Sequence, residues 1–260
     1  MKTPSCILTI AGSDSGAGAG IQADVRTIHA LGGYALTAIT AVTAQNSRGI
    51  LAWRAVPLKL ITAQLKAVLG DFPVAAIKTG LLPGAAAIKA VAAALPTGIP
   101  LVVDPVIGST SGTEFLSEAG LRALRRHLFL RATLVTPNWP EATALTGLPV
   151  RNFAEAEAAA HALLETGCHA VLVKGGHGPG GICRDCLVTA DGHLRWFEGP
   201  RVHTRNLHGT GCVLSAAIAA GLARGKGLDA AVSDARKFLQ ASLQKNRGVR
   251  LGEKSGPALP

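Results

Sequence analysis

The chain has 260 residues, 48% of them hydrophobic, enough to bury the core of one large α/β domain. Its net charge of +10 suits phosphorylated small molecules as readily as nucleic acid, but the basic residues are dispersed, with small clusters only at 122–126 and 245–250. No basic stretch is interleaved with aromatics, no helix-turn-helix or zinc-finger pattern occurs, and no run of about 20 apolar residues could form a membrane span, which argues against nucleic acid and membrane roles.

In chain order, the opening MKTPSCILTIAGSD reads as a first buried strand over 6–10, not as a leader peptide, because the apolar run ends in Asp14 and a glycine loop. A helix is predicted over 21–31, a strand over 35–43, a helix over 59–69 and a strand over 74–78. Next come a helix over 85–95, a strand over 101–103, a helix over 118–127 and a strand over 132–135. Helices over 141–145 and 154–166 precede a strand over 170–173. Two short strands about Asp191 and Gly192, within 187–197, read as a β-hairpin, and helices over 213–223 and 228–245 close the pattern. Apolar strands alternating with helices indicate a mostly parallel sheet covered on both faces. No linker or repeat interrupts it, so 1–260 reads as one domain, with 252–260 expected to be loosely held. Five cysteines without framework spacing suit a reducing cytoplasm.

Ligands of such sheets bind beyond the carboxyl ends of the strands, so the residues just past each strand end matter most. The first loop, AGSDSGAGAG over 11–20, is not a dinucleotide fingerprint: its glycines at 16, 18 and 20 miss the G-x-G-x-x-G spacing, and no acidic residue occurs from 25 to 70. No Walker A motif is present either. Polar groups stand after the later strands in series: Lys78-Thr-Gly80, Asp104-Pro, Asn138-Trp-Pro-Glu141 and Lys174-Gly-Gly-His177. Each has a plain structural alternative, a turn former at Asp104, a helix entry at Asn138 to Glu141 and a surface charge at Lys174. Carboxylates so placed can also hold Mg²⁺ against phosphate oxygens. The most pointed motif is His208-Gly-Thr-Gly-Cys212 running straight into an Ala-rich helix. The amides of Gly209, Thr210 and Gly211 and the helix dipole would converge on an anion there, and a thiol at Cys212 could have its pKa lowered. The bland alternative is a helix cap of small residues with a buried cysteine.

AGSDSGAGAGIQAD, AVTAQN, KTGLL, VDPV, TPNWPEA, VKGGH and HGTGCVLSAAIAAGLARG occur in this order. Together they resemble the hydroxymethylpyrimidine/phosphomethylpyrimidine kinases of thiamine biosynthesis, within the ribokinase-like superfamily. The likeness spans residues 5–248, and the tail Leu251-Gly-Glu-Lys-Ser-Gly-Pro257 departs from the family's Gly-x-Gly-x-Gly-Pro ending. The resemblance implies a ribokinase-like three-layer αβα sandwich that moves the γ-phosphate of ATP to a pyrimidine hydroxymethyl group, and then phosphorylates the monophosphate.

By the same resemblance, Cys212 stands near the attacking hydroxyl, as base or only as a positioner, and the amides from Gly209 to Cys212 stabilise the transferred group. Gln45 reads the aminopyrimidine, since a carboxamide matches a ring nitrogen and an exocyclic amine; a strand-end cap is its alternative. Gly12, Ala19 and Asp24 share that pocket, with Leu81 and Val106 as apolar walls. Lys174 meets ATP phosphates, Asp104, Asn138 and Glu141 organise Mg²⁺, and Asn138, Thr204, Asn206 and Lys237 lie on the nucleotide side. The segment 108–113, Gly- and Ser-rich, could be a flap over the substrate. Cys183 and Cys186 give half a zinc site without a second pair. The expected partners are ATP, Mg²⁺ and an aminopyrimidine, and dimers are frequent in the family. Two readings compete with this one: a pyridoxal-type kinase on the same scaffold, and a non-catalytic protein that binds a pyrimidine or nucleotide.

Overall fold

The computed structural model describes residues 3–108 and 112–260. The middle of the expected flap at 108–113, residues 109–111, lies outside the described residues.

The strands are β1 (Cys6–Asp14), β2 (Tyr34–Asn46), β3 (Gly49–Ala55), β4 (Val74–Thr79), β5 (Leu101–Val103), β6 (Leu134–Val135), β7 (Ala170–Val173), β8 (Ile182–Thr189) and β9 (Leu194–Pro200). They form one sheet in the order β3-β2-β1-β4-β5-β6-β7-β8-β9. Across the sheet, the six strands from β2 to β7 pair in parallel, and β3, β8 and β9 are antiparallel additions at the two edges. The helices are α1 (Gly20–Ala30), α2 (Leu58–Leu69), α3 (Gly84–Ala94), α4 (Glu118–Ala123), α5 (Trp139–Thr146), α6 (Phe153–Leu164), α7 (Thr210–Leu222) and α8 (Leu228–Lys245).

Alternation along the strands divides the core in two. On one face, Leu8 and Ile10 of β1 pack with Ile61 of α2, Ile88 of α3 and Ala159 of α6. On the other, Ile7 of β1 and Ala76 of β4 pack with Ile28 of α1, Ile218 of α7 and Val232 of α8. The result is a three-layer αβα sandwich. Its register has a direct consequence: Thr9 and Lys78 share the parity of Ile7 and Ala76, so they point at α1 and α7 rather than into the other layer.

Three expectations change. The strand β3 went unpredicted because an edge strand exposed along most of its length carries no apolar alternation. The helix expected over 118–127 is α4 followed by a π-helical turn, Leu124–Leu128, and a 3₁₀ turn, Phe129–Arg131. The stretch from Gly252, expected to be loose, is tied down: Ala258 is buried, its amide donates to the His208 carbonyl at 2.8 Å, and the Gly256 carbonyl accepts from the His208 amide at 3.1 Å.

Candidate active site

The carboxyl ends of the parallel strands open into one cleft of about 1080 Å³. At its centre is the turn before α7. Gly209 is left-handed, with φ of 83°, and a Cβ there would collide with the Gly18 carbonyl, so only glycine lets this turn close onto the first glycine loop. No side chain caps α7; the Thr210 amide donates back to the Leu207 carbonyl at 3.3 Å, and residues 209–212 line the cleft. Gly211 is the next close approach: a Cβ there would sit 3.2 Å from Lys174 Nζ.

One end of the cleft is a charge cluster on adjacent strand ends. Lys174, after β7, places Nζ 2.7 Å from Asp104 Oδ1, after β5, and 3.8 Å from Glu141 Oε2. Asp104 also accepts from Thr136 Oγ1 at 3.2 Å and Ser215 Oγ at 3.3 Å. Burial works against its charge, but Lys174 and Lys78 outweigh it and hold the carboxyl below its ordinary range. Glu141 fares differently: burial pushes its carboxyl up to about 7. The helix-entry alternative for 138–141 is also true. Asn138 Oδ1 accepts from the Glu141 amide at 2.9 Å, while Glu141 Oε2 accepts from the Asn138 amide at 2.8 Å, a capping box on α5. The same two residues line the cleft, so the cap fixes what the site presents.

The other end has an apolar wall. Leu81, Phe115 and Val106 pack with Ile50 and Trp53 of β3, the Trp53 and Phe115 rings meeting edge to face with centroids 5.5 Å apart. Gln45, near the end of β2 and paired with Ile50 of that wall, lines the same cleft, as do Gly12 and Ala19.

The structure moves several expected residues. Asp24 does not line the cleft; it is fully buried on the sheet-facing side of α1, 2.8 and 3.0 Å from Lys78 Nζ and accepting from Thr9 Oγ1 at 2.5 Å. Burial opposes charge on Lys78, but the Asp24 carboxylate prevails and keeps the ammonium protonated well above its ordinary range. Lys237 is exposed, because on α8 the cleft-facing positions are Arg236, Leu239, Gln240 and Leu243, and 237 lies about 100° round the helix from its neighbour. Asn206 is buried away from the cleft, its amide nitrogen donating to the carbonyls of Asn246 at 2.8 Å and Val249 at 2.9 Å. Thr204 does line the cleft. Cys212 sits at the mouth of the turn as expected, but its thiol is not activated: burial pushes it up to about 11 against the pull of Lys78. Cys183 and Cys186, three apart on β8, point to opposite faces, one lining the cleft and the other in the core, so they cannot act as a pair.

Two residues that the motifs contain but sequence reasoning assigned no role are Asp14 and His208. Asp14 Oδ1 accepts from the Gly16 amide at 2.8 Å, and Oδ2 accepts from Gly18 at 3.0 Å, Ala19 at 2.9 Å and His208 Nε2 at 2.8 Å. Their position, one in each glycine motif, was the only signal available.

The phosphomethylpyrimidine kinase family model matches residues 14–259. This chain belongs to the phosphomethylpyrimidine kinase family. It is 46% identical to the hydroxymethylpyrimidine/phosphomethylpyrimidine kinase of Rhizobium meliloti (strain 1021), over 96% of this chain and 94% of that protein. Among solved structures, it is similar to the phosphomethylpyrimidine kinase of Clostridium difficile 630, with 35% identity and a TM-score of 0.80 over 92% of this chain and 99% of that one. An ADP complex of Bacillus subtilis pyridoxal kinase is similar too, with 31% identity, a TM-score of 0.88 and 99% of each chain covered. The sandwich is therefore ribokinase-like and the protein is a kinase, a phosphotransferase.

Proposed function

We propose that the chain transfers the γ-phosphoryl group of ATP to the hydroxymethyl group of 4-amino-5-hydroxymethyl-2-methylpyrimidine, and then phosphorylates the resulting monophosphate. The observation that carries this reading is the division of one cleft: a carboxamide, Gln45, before an apolar wall at one end, and a lysine–carboxylate cluster at the other, with the 209–212 turn between them.

In this reading Gly12, Ala19, Leu81 and Val106 shape the ring pocket and Gln45 offers one donor and one acceptor to the aminopyrimidine edge. Lys174 meets the phosphates of ATP. Asp104 and Glu141, with Asn138 holding Glu141 through the cap, are a fit for Mg²⁺, which needs only one or two carboxylates when phosphate oxygens and water complete its shell. No larger cluster of His, Cys, Asp or Glu converges among the described residues, so a cage for a different metal is not the better reading. The ion, when bound, would neutralise charge on the transferring group. Thr204 borders the nucleotide, and Asp24 and Lys78 form a buried base under the turn.

The alcohol oxygen bonds to the γ-phosphorus as the bond to the β-phosphate oxygen breaks. Because the transition state is loose, the alcohol proton leaves late and passes to an oxygen of the transferred phosphoryl group. That fits a Cys212 thiol held protonated: Cys212 positions the hydroxyl, and the amides of Gly209, Thr210, Gly211 and Cys212 stabilise the transferred charge. The protein is further taken as a cytoplasmic homodimer; no helix among the described residues is long and apolar enough to cross a membrane.

The pyridoxal kinase likeness favours a second reading, pyridoxal as substrate. ADP release with Mg²⁺ and, in parallel, the hydroxymethylpyrimidine, its monophosphate and pyridoxal separates the two, with products identified by mass. Turnover of both pyrimidines with little on pyridoxal is expected. Preference for pyridoxal would overturn the reading of Gln45, and binding without any turnover would favour a non-catalytic protein.

A further inference from the structure

His208 joins three parts of the ring pocket. Its Nε2 lies 2.8 Å from Asp14 Oδ2, in the first glycine loop, and 3.0 Å from the carboxamide of Gln45, at the end of β2. Its backbone leads into the 209–212 turn and is bridged on its far side by Gly256 and Ala258 of the tail. A Cβ on Gly18 would run into the imidazole, so the ring fills the space between the two glycine motifs.

The chemistry of the contact is restrictive. Asp14 is almost wholly buried, and three amides and His208 donate to it. An ionised carboxylate only accepts, so His208 Nε2 must carry a hydrogen. An N–H can share its hydrogen with a second acceptor but cannot accept from an NH₂ group. The two ends of a carboxamide have the same size, so hydrogen bonding, not shape, decides which faces the ring. The carbonyl oxygen of Gln45 is the end that can face His208. Its NH₂ then turns towards Thr43 Oγ1, 3.3 Å from the other end of the carboxamide, whose own hydrogen goes to the Ser13 carbonyl at 3.1 Å. Every group in this chain of contacts is then satisfied, and one N–H and one lone pair of Gln45 remain for a ligand.

We propose that His208, backed by Asp14, is a positioning residue that sets which end of the Gln45 carboxamide donates and which accepts. It thereby decides which way round an aminopyrimidine lies and whether its hydroxymethyl group falls at the 209–212 turn. This rests on Gln45 reading the ring.

The first test needs no variant. Nitrogen-15 NMR of the wild-type protein labelled at histidine reads the tautomer of His208, and Nε2 is expected to bear hydrogen; a bare Nε2 would overturn the proposal. The second is a double-mutant cycle on the KM for the hydroxymethylpyrimidine. Gln45→Ala and His208→Ala should each raise KM about tenfold, the cost of one lost ligand-orienting hydrogen bond, while the double variant is no worse than Gln45→Ala alone. His208→Gln, which restores an N–H donor at the end of a similar reach, should recover most of the loss, a recovery that a mere space-filling role would not predict. Losses that multiply in the double variant, or a His208→Ala variant with wild-type KM, would overturn the role of His208. A Gln45→Ala variant without effect would instead sink the reading of Gln45 itself.

Discussion

At the phosphoryl end of the cleft, Asp104, Glu141 and Lys174 follow the adjacent parallel strands β5, β6 and β7, Glu141 in the first turn of α5, and the two buried carboxylates answer the charge of the partly buried lysine. At the ring end, Gln45 and His208 stand on a strand terminus and a loop, in contact with each other, His208 being held by Asp14 and by a tail that crosses from the α8 side. The tail is itself clasped by the β2–β3 turn, where Ser47 Oγ accepts from the Glu253 amide at 3.0 Å and Arg48 pairs with Glu253. The first end is rigid because the sheet is rigid, so its job is charge placed in advance of the reaction. The second is built from segments far apart in sequence, so its job is recognition, and its errors should appear in KM and selectivity rather than in turnover.

The largest expected effect lies beneath both ends. The Lys78–Asp24 pair is wholly buried, so Asp24→Ala should leave an unpaired ammonium in the core and lower stability by about 3–5 kcal/mol in urea unfolding. The double change Lys78→Met, Asp24→Leu should recover most of that loss, since apolar side chains of similar volume can replace a buried pair. A single variant with wild-type stability would mean that the pair is not a common foundation for the two ends.

Next is Lys174→Ala, expected to reduce kcat by roughly 10²–10³ with little change in KM for the pyrimidine. A loss confined to KM for the pyrimidine would break the division between the two ends. Glu141 gives a smaller, pH-dependent effect. Burial raises its carboxyl to about 7, so between the ordinary glutamate value and that point the folded state holds a proton that the unfolded state has released. Stability due to this group is therefore present at low pH and falls as pH rises through that window. Metal-free wild type should lose about 1–3 kcal/mol relative to Glu141→Gln between pH 4.5 and 7.5, read by thermal unfolding. A difference that does not change with pH would show that Lys174 keeps Glu141 ionised throughout.

Much of the phosphoryl end was legible in the sequence, because polar residues after buried parallel strands can point to only one edge of the sheet; Asp104, Asn138, Glu141 and Lys174 needed only their strand ends to be found. The ring end was harder. The strand β3, which supplies Ile50 and Trp53 to its wall, is an edge strand without alternation. His208 and Asp14 are 194 residues apart, and nothing in either glycine motif announces that they meet. Asp24 was misplaced for a related reason: helical phase alone puts it with Ile21, Thr27 and Ile28 on the side of α1 that faces the sheet. The thiol at Cys212 was read from the helix dipole, but desolvation at that depth outweighs a partial charge.

The smallest effect tests helical phase directly. Lys237 is exposed on α8, on the same surface as Asp234, so Lys237→Ala should leave KM for ATP within about twofold and stability within about 0.5 kcal/mol. Arg236, one position earlier, faces the cleft and donates from Nε to Asp185 Oδ2 at 2.6 Å, while Asp185 Oδ1 accepts from the Gly175 amide at 2.7 Å. That amide opens the glycine-rich loop after Lys174, so Arg236→Ala should loosen the loop as well as leave a largely buried carboxylate without its cation. A clear rise in KM for ATP is expected there, read beside an unchanged KM for the pyrimidine. If Lys237→Ala were the more damaging of the two, the phase of α8 would be wrong, and with it the assignment of the nucleotide to this end of the cleft.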